Sequence, residues 1–181
     1  MDPLEQVDLV TEEDKVIGNI SKAEAHQKGL LHRTVIAEVI NSSGLWTLVK
    51  QSSDRQDPGR FVSPIGGHVR TGETEDEALK REAAEEFGLT GDFEFHLVGK
   101  KIFDRQVNDR QENHLFILYE ISSDAEPVLN EEAVDFEQFT REEIADGLRK
   151  DPQKFGAAFH FVFTSFYSDL PQTVPDPSLK P

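Results

Sequence analysis

The sequence reads as one α/β domain. Strand-like and helical runs alternate along its 181 residues, no composition break divides them, and a glycine-containing turn leads into a helix with clear start and stop signals. Residues 7–10 and 16–20 are apolar β-type runs on either side of Thr11-Glu12-Glu13-Asp14-Lys15 and predict a small hairpin or strand pair. Ser21 with Glu24 three positions on is a capping-box pattern, so a short helix is expected over 21–28, stopped by Gly29. Residues 34–40 and 45–50 predict strands joined by Asn41-Ser42-Ser43-Gly44, and the polar, proline-containing stretch 51–59 predicts a surface loop.

Glycines 66, 67 and 72 then predict a loop in which side chains would clash or φ must turn positive. Thr74 with Glu77 starts the next helix, which runs through the helix formers Ala78, Leu79, Lys80, Arg81, Ala83 and Ala84. Gly88 stands where a left-handed cap is expected, with Leu89 behind it. Leu79, Ala83 and Phe87 recur every four residues and form the face that packs inward. Two long strands are expected over 93–103 and 114–121, separated by a charged loop, 104–113, beside the substrate face. Helices are expected over 142–150 and 157–167, the second with a core-packing stripe of Phe159, Phe163 and Phe166. The domain is placed at 1–170, with 1–33 carrying the strand pair and short helix. The proline-rich segment 171–181 is expected to be a loose tail.

Composition narrows the function classes. A formal charge of −16 argues against a nucleic-acid polymer as partner, because such binding relies on Lys and Arg. It leaves open a nucleotide whose phosphates meet a metal. With no cysteine there is neither disulfide nor thiolate chemistry. The acidic N-terminus lacks a signal-type apolar segment and no run reaches membrane-spanning length, so a cytoplasmic location and no membrane partner are expected.

The chemistry is concentrated between Gly67 and Leu89. Glu82, Glu85 and Glu86 are related by i, i+3 and i+4, so three like charges crowd one helix face. Helix stability gives no reason to place them there. A hard divalent cation does, since Mg²⁺ takes carboxylate and water oxygens and bridges to substrate phosphates. Arg81 follows Glu77 and precedes Glu85 by four residues each, so it can brace the acidic face.

This stretch resembles the Nudix box: a glycine (Gly67), five residues, a glutamate (Glu73), seven residues, then Arg81-Glu82-Ala83, Glu85-Glu86, Gly88 and Leu89. The resemblance implies an α/β/α sandwich with a mixed β-sheet between helices, and hydrolysis of a diphosphate-linked small molecule with Mg²⁺ or Mn²⁺. It implies that Glu82, Glu85 and Glu86 are metal ligands, that the Gly66 carbonyl is a candidate further ligand, and that Arg81 and Glu73 hold loop and helix together. The metal would neutralise the diphosphate oxygens and acidify a bound water, whose proton a carboxylate takes. Nudix hydrolases often add an acid outside the box. Here Glu132 is the candidate, with Glu131 second and Glu112 competing.

A finer resemblance links the chain to the isopentenyl-diphosphate isomerase branch. It rests on Ala25-His26, Leu31-His32, Gly66-Gly67-His68 and Glu112-Asn113-His114. That isomerase builds a separate metal centre from two histidines before the first core strand, one in the box loop and two acids two residues apart. Here His26, His32, His68 and Glu112 correspond, while His114 stands where the second acid belongs. His26, His32, His68, Glu112 and His114 thus form a candidate second site with the donor types for Zn²⁺ or Mn²⁺. The isomerase's catalytic cysteine, two residues before the box histidine, is Gly66 here. A complete hydrolase acid set with isomerase groups missing points to a hydrolase in an isomerase-like frame. Isomerisation of isopentenyl diphosphate and a non-catalytic ligand-binding module are the alternatives. The expected partner is a small-molecule diphosphate, a homodimer is compatible with the sequence, and Trp46 and Phe61 are either base-stacking or core residues.

Overall fold

A computed structural model of the chain describes residues 5–107 and 110–167; the expected tail over 171–181 lies outside the described residues. The element order begins β1 (Gln6–Val10), β2 (Val16–Ser21), α1 (Lys22–Lys28), β3 (His32–Ile40), β4 (Trp46–Gln51), β5 (Phe61–Val62) and β6 (Ile65–His68). It continues with α2 (Glu75–Glu82), which passes directly into a π-helical turn (Ala83–Phe87), then β7 (Glu94–Val107) and β8 (Arg110–Ser122). The chain closes with β9 (Ala133–Phe139), α3 (Arg141–Lys150), a 3-10 turn (Pro152–Lys154) and α4 (Ala157–Phe166).

Strand β3 is the axis of a mixed, curled sheet. Along one edge it runs parallel to β8 from His32↔His114 to Ile40↔Ser122. Along the other it meets three antiparallel partners in turn: β1 at His32, β6 at Thr34 to Ala37, and β4 at Val39 and Ile40. Alternate β3 side chains face opposite layers, as strand pleating requires. Val35, Ala37 and Val39 pack with Ile117, Ile121 and the helix residues Ala78, Leu79, Ala83 and Phe87. Ile36 packs with Phe116, Leu118, Trp46 and the α3 and α4 residues Ile144, Leu148, Phe159 and Phe163. Helices therefore cover both faces, the expected α/β/α sandwich. Trp46 and Phe61 are both core residues, with Trp46 edge-on to Phe163 and Tyr167.

Helix signals read from the sequence hold in detail. Thr74 and Glu77 form a complete capping box, and Gly88 ends the π turn at φ 80° with Leu89 N–H returning to Ala83. At α1 only half of the expected box forms: Ser21 accepts from the Glu24 N–H, while the Glu24 side chain pairs with Lys28.

Two expected loops are strands. Residues 104–107 and 110–113 extend the β7–β8 ribbon, with Asp104 opposite Asn113 and Arg105 opposite Glu112. The stretch lacks the apolar alternation that signals a strand, because its backbone is held by the neighbouring strand rather than by burial of a hydrophobic face. Gly66 to His68 likewise pair with β3 as part of β6. Of the three glycines assigned to that loop, Gly72 has a positive φ (81°), whereas Gly67 is needed for space. The two-residue strand β5 carries no sequence pattern, and β9 has acids and Gln138 among its apolar residues, a mixture that does not mark a strand.

One core position bears on pH. Glu38 on β3 is fully buried, lies opposite Glu120 on β8, and accepts a 2.6 Å hydrogen bond from Ser63. Burial, only partly offset by Ser63 and reinforced by Glu120, pushes its carboxyl from 4.5 up to about 8. A folded-state value above the unfolded one gives stability that is complete below about 4.5 and lost as pH rises towards 8. The total is on the order of a few kcal/mol. Glu38→Gln is therefore expected to flatten the fall in thermal midpoint between about pH 5 and pH 8. Parallel wild-type and variant curves would show that Glu38 does not titrate in the folded state.

Candidate active site

The acids of the Gly67–Leu89 stretch are arranged around β6 and the π turn. The wider π geometry carries Glu86 to β6, where the Gly66 N–H donates to Glu86 Oε2 at 2.6 Å. Burial, with the charges of Glu82, Glu132 and Glu85 added, raises Glu86 to about 8 against the opposing pull of the Gly66 N–H. Glu82 is buried, and its carboxylate lies directly against Gly67. A Cβ there would stand 1.9 Å from Glu82 Oε1, so only glycine fits. Burial raises Glu82 as well, against the lowering effect of Arg81. Glu85, by contrast, is exposed, with Arg81 Nη1 at 3.6 Å.

Arg81 is the tie between loop and helix. Its Nε and Nη2 donate to the two oxygens of Glu73 at 2.8 Å each, Nη2 also donates to the His68 carbonyl at 2.9 Å, and Nη1 donates to Glu82. Glu73 also accepts from the Arg70 N–H. Its burial favours the neutral acid, but the Arg81 and Arg70 bonds outweigh this and hold its pKa below the ordinary value. Arg81 and Glu73, expected from the resemblance as supports, are joined to each other, to Glu82 and to the His68 carbonyl.

A cavity of about 290 Å³ opens beside this cluster. Gly66, Glu86 and Glu132 line it, and so do His26, His68, Glu112 and His114. Glu132 stands just before β9 and pairs with Arg55 at 2.6 Å; Glu131 is not among the lining residues. Of the three box acids Glu86 lines the cavity, while Glu82 lies beneath Gly67 and Glu85 faces solvent.

The four histidines converge from α1, β3, β6 and β8, with their ligand atoms all within 4.8 Å of one another. His26 Nε2 lies 3.1 Å from His68 Nε2 and 3.2 Å from His114 Nε2. These separations are close to the roughly 3.3 Å edge of a tetrahedron built from metal–nitrogen bonds of about 2.0–2.1 Å. His32 Nδ1 donates to the Leu30 carbonyl at 2.7 Å, which leaves the lone pair on Nε2, a buried atom with no hydrogen-bond partner. Burial keeps His32 below its ordinary pKa, with the nearby Glu112 opposing. Burial first, then the other imidazoles and Lys22, hold His68 well below it. Four converging imidazoles, with His32 and His68 held towards the neutral form, suit a borderline divalent cation.

Glu112, the fifth candidate, stands beside this group. Its Oε2 accepts from Arg105 Nε at 3.1 Å and from Gln56 Nε2 at 3.0 Å. Arg105 and Gln56 are site residues the sequence reading missed. The alternation Phe103, Arg105 along a ribbon was the available signal, hidden because the segment read as a loop.

Against this geometry the comparisons decide the family. The sequence model of the NUDIX domain matches residues 30–159. The chain belongs to the NUDIX domain family. An uncharacterized Nudix hydrolase of Nostoc sp. is 34% identical over 72% of this chain and 77% of its own length. An isopentenyl-diphosphate Delta-isomerase of Pectobacterium atrosepticum is 28% identical over 89% of this chain and 90% of its own. Among solved structures, the Deinococcus radiodurans protein DR0079 superposes with a TM-score of 0.64 at 26% identity, covering 78% of this chain and 87% of that one. The Nudix relatives thus include both hydrolases and isomerases, as the two resemblances implied. Among the described residues no helix is long and apolar enough to cross a membrane.

Proposed function

We propose that this Nudix-type hydrolase cleaves a diphosphate linkage in a nucleoside diphosphate-X or similar small molecule, using Mg²⁺ or Mn²⁺ at Glu82, Glu85 and Glu86. The observation that carries this is Glu86, a half-buried carboxylate at the cavity wall, hydrogen-bonded to Gly66 and surrounded by other acids. Such a cluster is costly without a cation and suited to one. The bound metal would neutralise the diphosphate and acidify water. Glu86 and Glu85 are the candidates to take the water's proton and the Gly66 carbonyl to add a ligand. Arg81 and Glu73 hold the frame. Glu132, at the cavity wall near Glu86, is the acid from outside the box.

The test is a hydrolysis screen with Mg²⁺ over nucleoside diphosphate sugars, dinucleoside polyphosphates, nucleoside triphosphates and prenyl diphosphates. Release of phosphate or a monophosphate is expected. Conversion of isopentenyl to dimethylallyl diphosphate without phosphate release would replace this reading with the isomerase. Saturable binding without turnover under any metal would replace it with a ligand-binding module.

The imidazole group supports a second metal centre, at His26, His32, His68 and His114. Its donors favour Zn²⁺ over Mg²⁺, because nitrogen ligands suit the softer ion. Metal-free protein is expected to bind one Zn²⁺ per chain, with His32→Ala lowering the affinity at least about tenfold by calorimetry. Unchanged binding in that variant would place the zinc elsewhere.

A further inference from the structure

Arg105 occupies an unusual place for a cation. It lies on β7 directly opposite Glu112 on β8, with its side chain 12% exposed and its guanidinium carbon 5.2 Å from the centre of the Phe103 ring. Glu112 engages Nε, and among the described residues neither Nη group makes a hydrogen bond. The cavity it lines is otherwise rich in acids: Asp57, Glu86, Glu112 and Glu132. Lys22, the other cation lining it, is paired with Glu5 at 2.9 Å.

A guanidinium fixed to a carboxylate through Nε, with both Nη groups free of hydrogen bonds among the described residues, is prepared for a two-point acceptor, and two oxygens of a phosphate fit a fork of this shape. Arg105 and Gln56 donate to the same Glu112 oxygen, and the Phe103 ring fixes the guanidinium plane from a second side, so little side-chain entropy is lost when an anion binds. We propose that Arg105 binds a phosphate of the substrate within this cavity, and that Glu112 is the residue that positions it. The inference rests on the diphosphate reading above and deepens it. A metal held by the box acids would neutralise part of the anion, and Arg105 would add the protein's own positive charge. Glu112 is thereby assigned a role in holding Arg105.

Binding of methylenediphosphonate, which cannot be hydrolysed at its bridge, tests this by calorimetry in Mg²⁺. Arg105→Gln is expected to raise Kd about tenfold to a hundredfold, and Arg105→Lys less, because it keeps the charge without the fork. Arg105→Gln leaves Glu112 buried without its cation and can weaken the fold, so the double variant Arg105→Gln/Glu112→Gln is measured alongside. It is expected to bind as weakly as Arg105→Gln. Wild-type affinity in the double variant would overturn the proposal, leaving Arg105 as a partner that only neutralises Glu112. Wild-type protein with no Mg²⁺-dependent binding would overturn the diphosphate reading itself and this inference with it. Binding lost in Arg105→Gln but kept in Glu86→Gln would uphold Arg105 and remove the box acids from substrate capture. Glu112→Gln is expected to raise KM with little change in kcat, a split that general loss of stability does not produce.

Discussion

Glu86→Gln is expected to lower Mg²⁺-dependent hydrolysis by about 10²- to 10⁴-fold, the range associated with removing a group that transfers a proton or holds the activating metal. The fold should survive, because the glutamine carbonyl can still accept the hydrogen bond that the Gly66 N–H gives Glu86. Burial and the charges of Glu82, Glu132 and Glu85 disfavour the ionised form in the metal-free protein, so removing that charge leaves the thermal midpoint equal or higher. Activity and stability are therefore expected to move apart. Glu85→Gln provides the comparison: Glu85 is exposed, so any large loss of rate there must come from the reaction rather than from packing. A fall of less than tenfold for Glu86→Gln in a steady-state assay would remove Glu86 from the chemistry.

Arg81→Ala is expected to act through the opposite balance and to be the most destabilising change in the site. The guanidinium is the cation of Glu73 and Glu82, whose side chains are only 15% and 10% exposed, and it also holds the His68 carbonyl. Removing one partner of such a set leaves charge without compensation, at a cost of about 3–5 kcal/mol. For a chain of this size that is a fall of roughly 6–20 °C in thermal midpoint by calorimetry. Rate should fall too, since Glu82 would no longer be held against Gly67. Arg81→Lys keeps one charge but cannot span Glu73, Glu82 and the carbonyl together, and should lie between. A midpoint within about 2 °C of wild type would mean the ties are solvated and contribute little, as exposed ion pairs do.

The helix carrying these acids was legible because its determinants are local. Thr74, Glu77 and Gly88 mark the ends of one continuous segment, and Glu82, Glu85 and Glu86 are related by helical spacing alone. The histidine candidates were legible only through resemblance, since nothing local connects His26 with His114. Illegible in the sequence were the strand at Gly66–His68 and the strand pair at 104–107 and 110–113. Both owe their backbone partners to distant segments or to a ribbon without an apolar face, and neither carries an apolar alternation. That error hid Arg105, because a residue placed in a loop has no defined neighbour, whereas one on β7 faces Glu112.

The sequence by itself determined the family and the spacing of Glu82, Glu85 and Glu86 on one helix, because fixed spacings within one turn-and-helix unit specify a geometry wherever that unit is placed. Only the tertiary structure decided which groups meet. It brought imidazoles from four elements within 4.8 Å of one another, laid Glu82 against Gly67, and put Glu38 beyond the reach of water. Pairing of β3 with β6 and β8 did this, and such long-range contacts depend on the burial and register of the whole sheet. No window of the chain contains that information.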